Sequence, residues 1–430
     1  MRGYYADQVE LYGQLVSKWE EIGARENWNY QAALTSLGNA YQSLGQYQQA
    51  IKYHQQYFKI TIEIVNRNGE GTALGNLGNA YDSLGQYQQA IDSYQQCLDI
   101  AREIGDRKGE ASALGNLGVT YNSLGQYQQA IEYHQQCLKI NREIANPNGE
   151  GIAFGGLAIA YRFLGHYQQA IKYHQQHLKI AREIGDRNSE GSALEGLGNA
   201  YFCLGKYQQA IDFYQQSLDI SREIGNRNGE GITFGGLGNA YFCLGEYQQA
   251  INFYQKWLKI AREISDRNGE GNSLGNLGNV YNSLGEYQRA IDFHQQSLEI
   301  SREIGDRNGE GSSLNNLGNA YDSLGQYQGA IEFHQQSLEI MREIGDIRGG
   351  ANSWYNLGLS LEKVDRESDA LGAYRNASEL YQQMGLDADV QNCNNAIERV
   401  SQPKAPVLSR RGFWAWLRRL WRWVRAWFRQ

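Results

Sequence analysis

Residues 74–110 read LGNLGNAYDSLGQYQQAIDSYQQCLDIAREIGDRKGE, and this stretch returns along the chain. Close copies begin at Leu34, Leu114, Phe154, Leu194, Phe234, Leu274 and Leu314, a register of 40 residues. A worn ninth copy starts at Trp354, as WYNLGLSLEKVDRESDALGAYRNASELYQQMG. Self-similarity at such a period marks a repeat architecture, in which a unit that cannot bury its apolar faces alone buries them against its neighbours.

Each unit reads as two helices. Leu74, Leu77, Gly78 and Tyr81 are spaced as one face of a first helix, which Gly85 ends. Tyr87, Ala90, Ile91, Tyr94, Cys97, Leu98, Ala101 and Ile104 keep helical spacing in a second. Gly105 is placed to cap it in the left-handed conformation, and Asp106 to N-cap the helix that follows. Gly costs about 1 kcal/mol inside a helix. Its regular return at Gly78 therefore implies a close crossing against the second helix.

Leu77-Gly78, Tyr81, Gly85, Tyr87, Ala90-Ile91, Tyr94 and Leu98 resemble the tetratricopeptide repeat pattern. The usual Pro after the second helix is missing, and that helix runs on through AREIGDR, which lengthens the repeat to 40 residues. This is similar to the long repeats of the LGN/Pins adaptors and kinesin light chain. The resemblance implies an all-α, right-handed superhelical solenoid whose first helices line a concave groove that holds an extended peptide. No Gα-binding motif of the LGN/Pins kind is present, so that function is not implied.

The expected organisation is a capping helix over 1–30, the repeat array over 31–390, a linker and a tail. Eight clear repeats fill 31–350 and the degenerate ninth fills 351–390. Residues 391–409 hold the end of the last helix and SQPKAPVLS, whose Pro403 and Pro406 cannot continue a helix interior.

Residues 410–430 form a different kind of segment. They hold five tryptophans and seven arginines and no acid. On a helix at about 100° per residue, Phe413, Trp414, Trp416, Leu417, Leu420, Trp421, Trp423, Val424, Trp427 and Phe428 share one half of the circumference. Arg411, Arg418, Arg422, Arg425 and Arg429 gather opposite. Indoles favour the headgroup level of a bilayer and guanidinium favours lipid phosphate, so an amphipathic helix lying on an anionic membrane is expected. Residues 413–428 would reach only ~24 Å as a helix, short of the ~30 Å hydrocarbon core. Packing on a partner protein or on the chain's own body is the alternative.

The chain of 430 residues has a net charge of −7. Lys404 and the seven arginines make residues 401–430 +8, which leaves −15 on residues 1–400. An acidic body lacks the basic footprint that phosphate binding needs, so nucleic acid is not expected as a partner. Cys97, Cys137, Cys203, Cys243 and Cys393 form no CxxC pair, which suggests neither a disulfide framework nor a zinc site. The first residues lack the apolar run of a signal peptide, so a cytoplasmic location is expected. No HExxH, GxSxG or phosphate-cradling loop occurs. Neither catalytic residues nor metal ligands nor a cofactor are expected, and a non-enzymatic adaptor is the reading.

Two asparagine series are the candidate groove contacts. Asn39, Asn79, Asn199, Asn239, Asn279 and Asn319 lie two residues after the repeated Leu; Asn76, Asn116, Asn276 and Asn316 lie one before it. A carboxamide both donates and accepts, so such a ladder can hold an extended backbone or brace neighbouring helices. Val119 and Ile159 break the first series, and Gly156, Gly196 and Gly236 stand in the second. With Phe202 and Phe242 nearby, the groove is expected to be polar towards its ends and apolar in the middle. Phe202 and Phe242 either face a ligand or pack sideways into the next repeat. A second function, a sensor whose basic tail docks in its own acidic groove until a ligand displaces it, fits the same charges.

Overall fold

The computed structural model describes residues 2–23, 27–402 and 418. Among the described residues there are twenty helices and no strands. In chain order the first ten are α1 Arg2–Glu21, α2 Trp28–Ser43, α3 Tyr47–Glu63, α4 Arg67–Ser83, α5 Tyr87–Ile104, α6 Arg107–Ser123, α7 Tyr127–Glu143, α8 Pro147–Phe163, α9 Tyr167–Ile184 and α10 Arg187–Cys203. Then come α11 Tyr207–Glu223, α12 Arg227–Cys243, α13 Tyr247–Ile264, α14 Arg267–Ser283, α15 Tyr287–Ile304, α16 Arg307–Ser323, α17 Tyr327–Ile344, α18 Ile347–Lys363, α19 Glu367–Gln383 and α20 Asp387–Ser401. The chain divides into two compact units, 1–269 and 270–430. Within each, a helix packs on the next in sequence and first helices also meet first helices of adjacent repeats.

The punctuation is local chemistry. Gly85 and Gly105 sit at φ 71° and 72°, the left-handed region an L side chain rarely adopts. Asp106 Oδ1 accepts the Gly109 N–H at 2.9 Å, which satisfies one of the orphan donors at the start of α6. Pro147 occupies the first turn of α8, where no N–H is needed.

The core between paired helices is built from small against large. Leu74, Leu77, Ala80 and Ala90 are buried, as are their counterparts in the other seven clear repeats. The Tyr94 ring lies flat on Gly78, where a Cβ would come within 2.4 Å of Cε1. In other repeats a histidine takes the tyrosine's place. His54, His134, His294 and His334 are buried rings on Gly38, Gly118, Gly278 and Gly318, while His174, whose own repeat has Ala158 at that position, rests on Gly196 of the next.

A charged ladder absent from the sequence-based expectations ties successive repeats together. Arg107 reaches both Glu110 on its own helix and Glu143 on α7, and Arg102 Nε donates to Glu110 Oε1 at 2.9 Å. Arg187, Glu190, Glu223 and Arg182 repeat the set, as do Arg307, Glu310, Glu343 and Arg302. The shared carboxylates Glu110, Glu190 and Glu310 are buried, and their residues were legible as the recurring REIGDRxxE.

Candidate functional site

The first helices turn one edge to solvent, and its residues differ by repeat. Residues seven and eleven apart share a helix edge. On α8 that edge is Ile152, Ile159 and Phe163, all substantially exposed, with Phe163 at 52%. Val119 on α6 and Ile232 on α12 are exposed at equivalent places. On α4 the same edge is Thr72, Asn79 and Ser83, and on α10 it is Ser192, Asn199 and Cys203. Isolated exposed apolar residues are ordinary; a run along one edge of an otherwise polar surface is the kind of patch that marks an interaction site. Ile152 and Ile232 belong to this edge and were not among the residues singled out from sequence, although their spacing from Ile159 and Asn239 could have found them.

The asparagines fall into two chemical classes, and the residue on the second helix decides which. Tyr94 Oη donates to Asn79 Oδ1 at 2.7 Å; Tyr214 does so to Asn199 and Tyr254 to Asn239, each at 2.7 Å. A histidine is one ring atom and a hydroxyl shorter. Where His54 and His294 replace the tyrosine, the corresponding Asn39 and Asn279 receive no such bond, and their side chains have no partner among the described residues. Asn319, opposite His334, is likewise unpartnered, because His334 Nδ1 turns to Asn315 Oδ1 at 3.0 Å. Asn39 is exposed, and Asn279 and Asn319 are half-buried.

In the second series, Asn116 Nδ2 donates to Asn79 Oδ1 of the preceding repeat at 3.3 Å, whereas Asn76, Asn276 and Asn316 stay unpartnered among the described residues. Replacing Tyr94 with Phe is expected to destabilise the fold by about 1 kcal/mol, a typical net hydrogen bond. A urea titration would check it; an unchanged midpoint would mean that water replaces the phenol without loss.

The glycines in the second series have a packing cause. A Cβ on Gly156 would lie 2.3 Å from His134, on Gly196 2.2 Å from His174, and on Gly236 2.8 Å from Tyr214. They receive rings from the preceding repeat, so their place in the sequence reflects repeat-to-repeat contact. Phe202 and Phe242 are half-buried, with rings 5.5 Å and 5.7 Å from Tyr207 and Tyr247 on the second helix of their own repeats. Behind the apolar edge stands a charged group special to α10. Glu195 occupies a position that is glycine in five other repeats, Asn199 Nδ2 donates to its Oε1 at 3.4 Å, and burial raises its carboxyl above the usual range. Asn199 is thus held at both ends of its amide. The Arg162 guanidinium lies 4.2 Å over the Phe163 ring.

Between α4 and α6 a cavity of about 240 Å³ opens among Asn68, Asn76, Asn79 and Asn116, with Cys97 and Tyr94 in its wall. In the repeat of α12 and α13 the equivalent space is filled by Trp257, whose ring comes within 3.0 Å of the Cβ position of Gly235.

The tail residues 411, 413, 414, 416, 417, 420–425 and 427–429 lie outside the described residues; Arg418 is described, helical and exposed. Among the described residues no helix is long and apolar enough to cross a membrane.

A family model for the tetratricopeptide repeat matches residues 30–103, 109–183, 189–263 and 269–343, and a second tetratricopeptide model matches 69–141. No curated protein matches the chain. Among solved structures, one is a STAND signal-transduction ATPase with a tetratricopeptide repeat sensor from Pyrococcus horikoshii. It is 17% identical with a TM-score of 0.59, and the match covers 85% of this chain and 55% of that one. The apo form of the quorum sensor NprR from B. thuringiensis is 14% identical with a TM-score of 0.57, covering 84% of this chain and 99% of that one. A Rap protein complexed with competence and sporulation factor is 15% identical with a TM-score of 0.55, covering 80% and 99%. At these identities the likeness is one of fold.

Proposed function

From the premise that the chain belongs to the tetratricopeptide repeat family, we propose that it is a non-enzymatic adaptor that binds an extended peptide along its first helices and attaches peripherally to a membrane through its tail. The observation that carries the first half is the exposed apolar edge of α8, Ile152, Ile159 and Phe163, on a surface whose neighbours are hydroxyls and carboxamides. An extended ligand would seat apolar side chains there. Asn39 and Asn76 would meet its backbone on the polar side, since those amides have no internal partner. The Rap protein's complex with competence and sporulation factor, on a similar fold, supports a peptide or protein as the ligand class.

Peptides selected from a random displayed library against the full chain test this. They should carry spaced apolar residues, and Ile159→Glu should weaken them at least tenfold, because a carboxylate would face the anchor. The control Ile62→Glu, on the still more exposed Ile62 of α3, should leave them unchanged. Equal binding to both variants would sink the groove reading.

The second half rests on the sorting of ten apolar and five arginine side chains in 411–429. Each Arg near an anionic surface adds roughly 1 kcal/mol, enough for reversible attachment. Full-length protein should co-sediment with anionic vesicles, and less so with neutral ones. Replacing the five tail tryptophans by Ser should abolish it. Pelleting that survives those substitutions would place the contact elsewhere.

A further inference from the structure

The charged ladder that ties repeats together loses its shared glutamate at one junction, and a cavity opens there. All seven earlier junctions keep the glutamate, and at six of them a second-helix arginine stands eight residues before it, as in Arg302 and Glu310 or Arg182 and Glu190. At the junction of α17 and α18, Ile347 stands where Arg307 would be, Gly350 where Glu310 would be, and Gln383 where Glu343 would be. Arg342 is left without an ion partner among the described residues. Losing two large charged side chains leaves a cavity of about 900 Å³ in the second unit. Its wall is Leu338, Met341, Ile347, Trp354, Leu357 and Leu380, and the acids Glu339, Glu343 and Asp346 outnumber Arg342 in its lining. That volume is at the upper end of what ligand pockets enclose.

We propose that this cavity is the docking site of the chain's own Trp- and Arg-rich segment, residues 413–428. The chemistry is complementary, because the segment supplies indoles and cations and carries no acid, whereas the cavity supplies apolar walls within an acidic lining. The reach is sufficient. Arg399 Nη2 bonds Glu362 Oε2 at 2.8 Å, which puts the end of α20 beside the end of α18. Gly350 and Trp354 lie eight to twelve residues back along α18, roughly 12–18 Å at 1.5 Å per residue. The eleven residues 402–412 can span up to ~36 Å. The apolar face that would enter the cavity is the same one that would lie on a membrane, so the two sites compete for it. This makes the tail a two-position element, and it does not depend on the groove reading.

The chain has three methionines, and among the described residues only Met341 lines the cavity, so a methyl-labelled Met spectrum reports on it directly. In the full chain the Met341 methyl should be displaced by indole ring currents. Replacing Trp414, Trp416, Trp421, Trp423 and Trp427 by Ser should move it back, while Met1 and Met384 stay put. A second variant, Ile347→Arg with Gly350→Glu, restores the pairing found at other junctions and fills the cavity; the nearest atom to a Cβ on Gly350 is 3.8 Å away, so there is room. In that background the tail substitutions should no longer affect Met341. Anionic vesicles added to the wild-type chain should shift Met341 to its tail-variant position. An identical Met341 signal in the full chain and the tail variant overturns the proposal, whatever the vesicles do. A displacement that vanishes on dilution overturns it too, by placing a second copy's tail in the cavity. Vesicle pelleting without any Met341 change leaves the membrane reading standing alone.

Discussion

Acidification from about pH 7 to about pH 4 is expected to unfold this protein well before its carboxylates are all protonated. Burial lowers the imidazole pKa to about 4 at His54, His134, His294 and His334, and to about 3 at His174. No carboxylate acts on these five rings to hold a proton. The unfolded imidazole takes up its proton near 6.5. Between the two values the unfolded chain binds more protons than the folded one, so stability is full above the unfolded pKa and falls as pH falls. Each of the four rings lowered to about 4 accounts for about 3 kcal/mol once the pH reaches its folded pKa, and His174 for somewhat more.

Buried Nδ1 atoms of His54, His174 and His294 have no hydrogen-bond partner, so nothing there offsets the cost of burying the charge. Carboxylates held low by arginine, such as Glu103, Glu223 and Glu310, add to it in a lower window, as pH falls below their ordinary value. Circular dichroism against pH would read the transition. His294→Tyr separates the two causes, because the phenol would find the unpartnered Asn279 as Tyr254 finds Asn239. That variant should hold its structure to lower pH than the wild type. An acid midpoint indifferent to His294→Tyr would mean the rings hydrate without unfolding.

Two glycines three residues apart on α4 should respond to alanine with opposite signs. Gly75→Ala is expected to stabilise by up to ~1 kcal/mol, the helix propensity difference. Its new Cβ would meet only Cys97 Sγ, at 3.8 Å, an ordinary contact. Gly78→Ala gains the same propensity but drives a methyl to 2.4 Å from the Tyr94 ring, which is pinned by its bond to Asn79. Overpacking a close-packed contact costs about 1–3 kcal/mol, so the net effect is destabilising. Gly156→Ala should behave like Gly78→Ala across a repeat boundary, since His134 already rests on Gly118 and cannot retreat. Thermal or urea unfolding of the three variants checks the signs. Destabilisation by Gly75→Ala would show that helices α4 and α6 close over that position in solution.

The 40-residue register, two helices per unit and the glycine caps were readable from sequence because they are local: periodicity, propensity and φ > 0 need no neighbours. Gly78 was legible as a close crossing for the same reason, since a helix accepts a recurrent glycine only for packing. The meaning of Gly156, Gly196 and Gly236 was not legible. They sit in the asparagine register, and only the stacked repeats show that a ring from the preceding second helix fills the space. The asparagine ladder was visible as a ladder, but its division was not. Whether Asn79 or Asn39 has a free amide turns on Tyr94 or His54, fifteen residues away in sequence and one phenol longer or shorter.

Sequence by itself thus determined the repeat, its helical content, the acidic body and the basic aromatic tail, all of them sums or periods along one chain. Tertiary structure decided which repeated positions are spoken for and which are open. It set the apolar edge of α8 outward, closed one inter-repeat space with Trp257 while leaving its counterpart over Cys97 open, and turned the loss of an arginine and a glutamate into a cavity. The reason is geometric: a side chain's partners in a stacked repeat come from neighbouring units, and small differences in ring size or side-chain length there decide whether a space is filled.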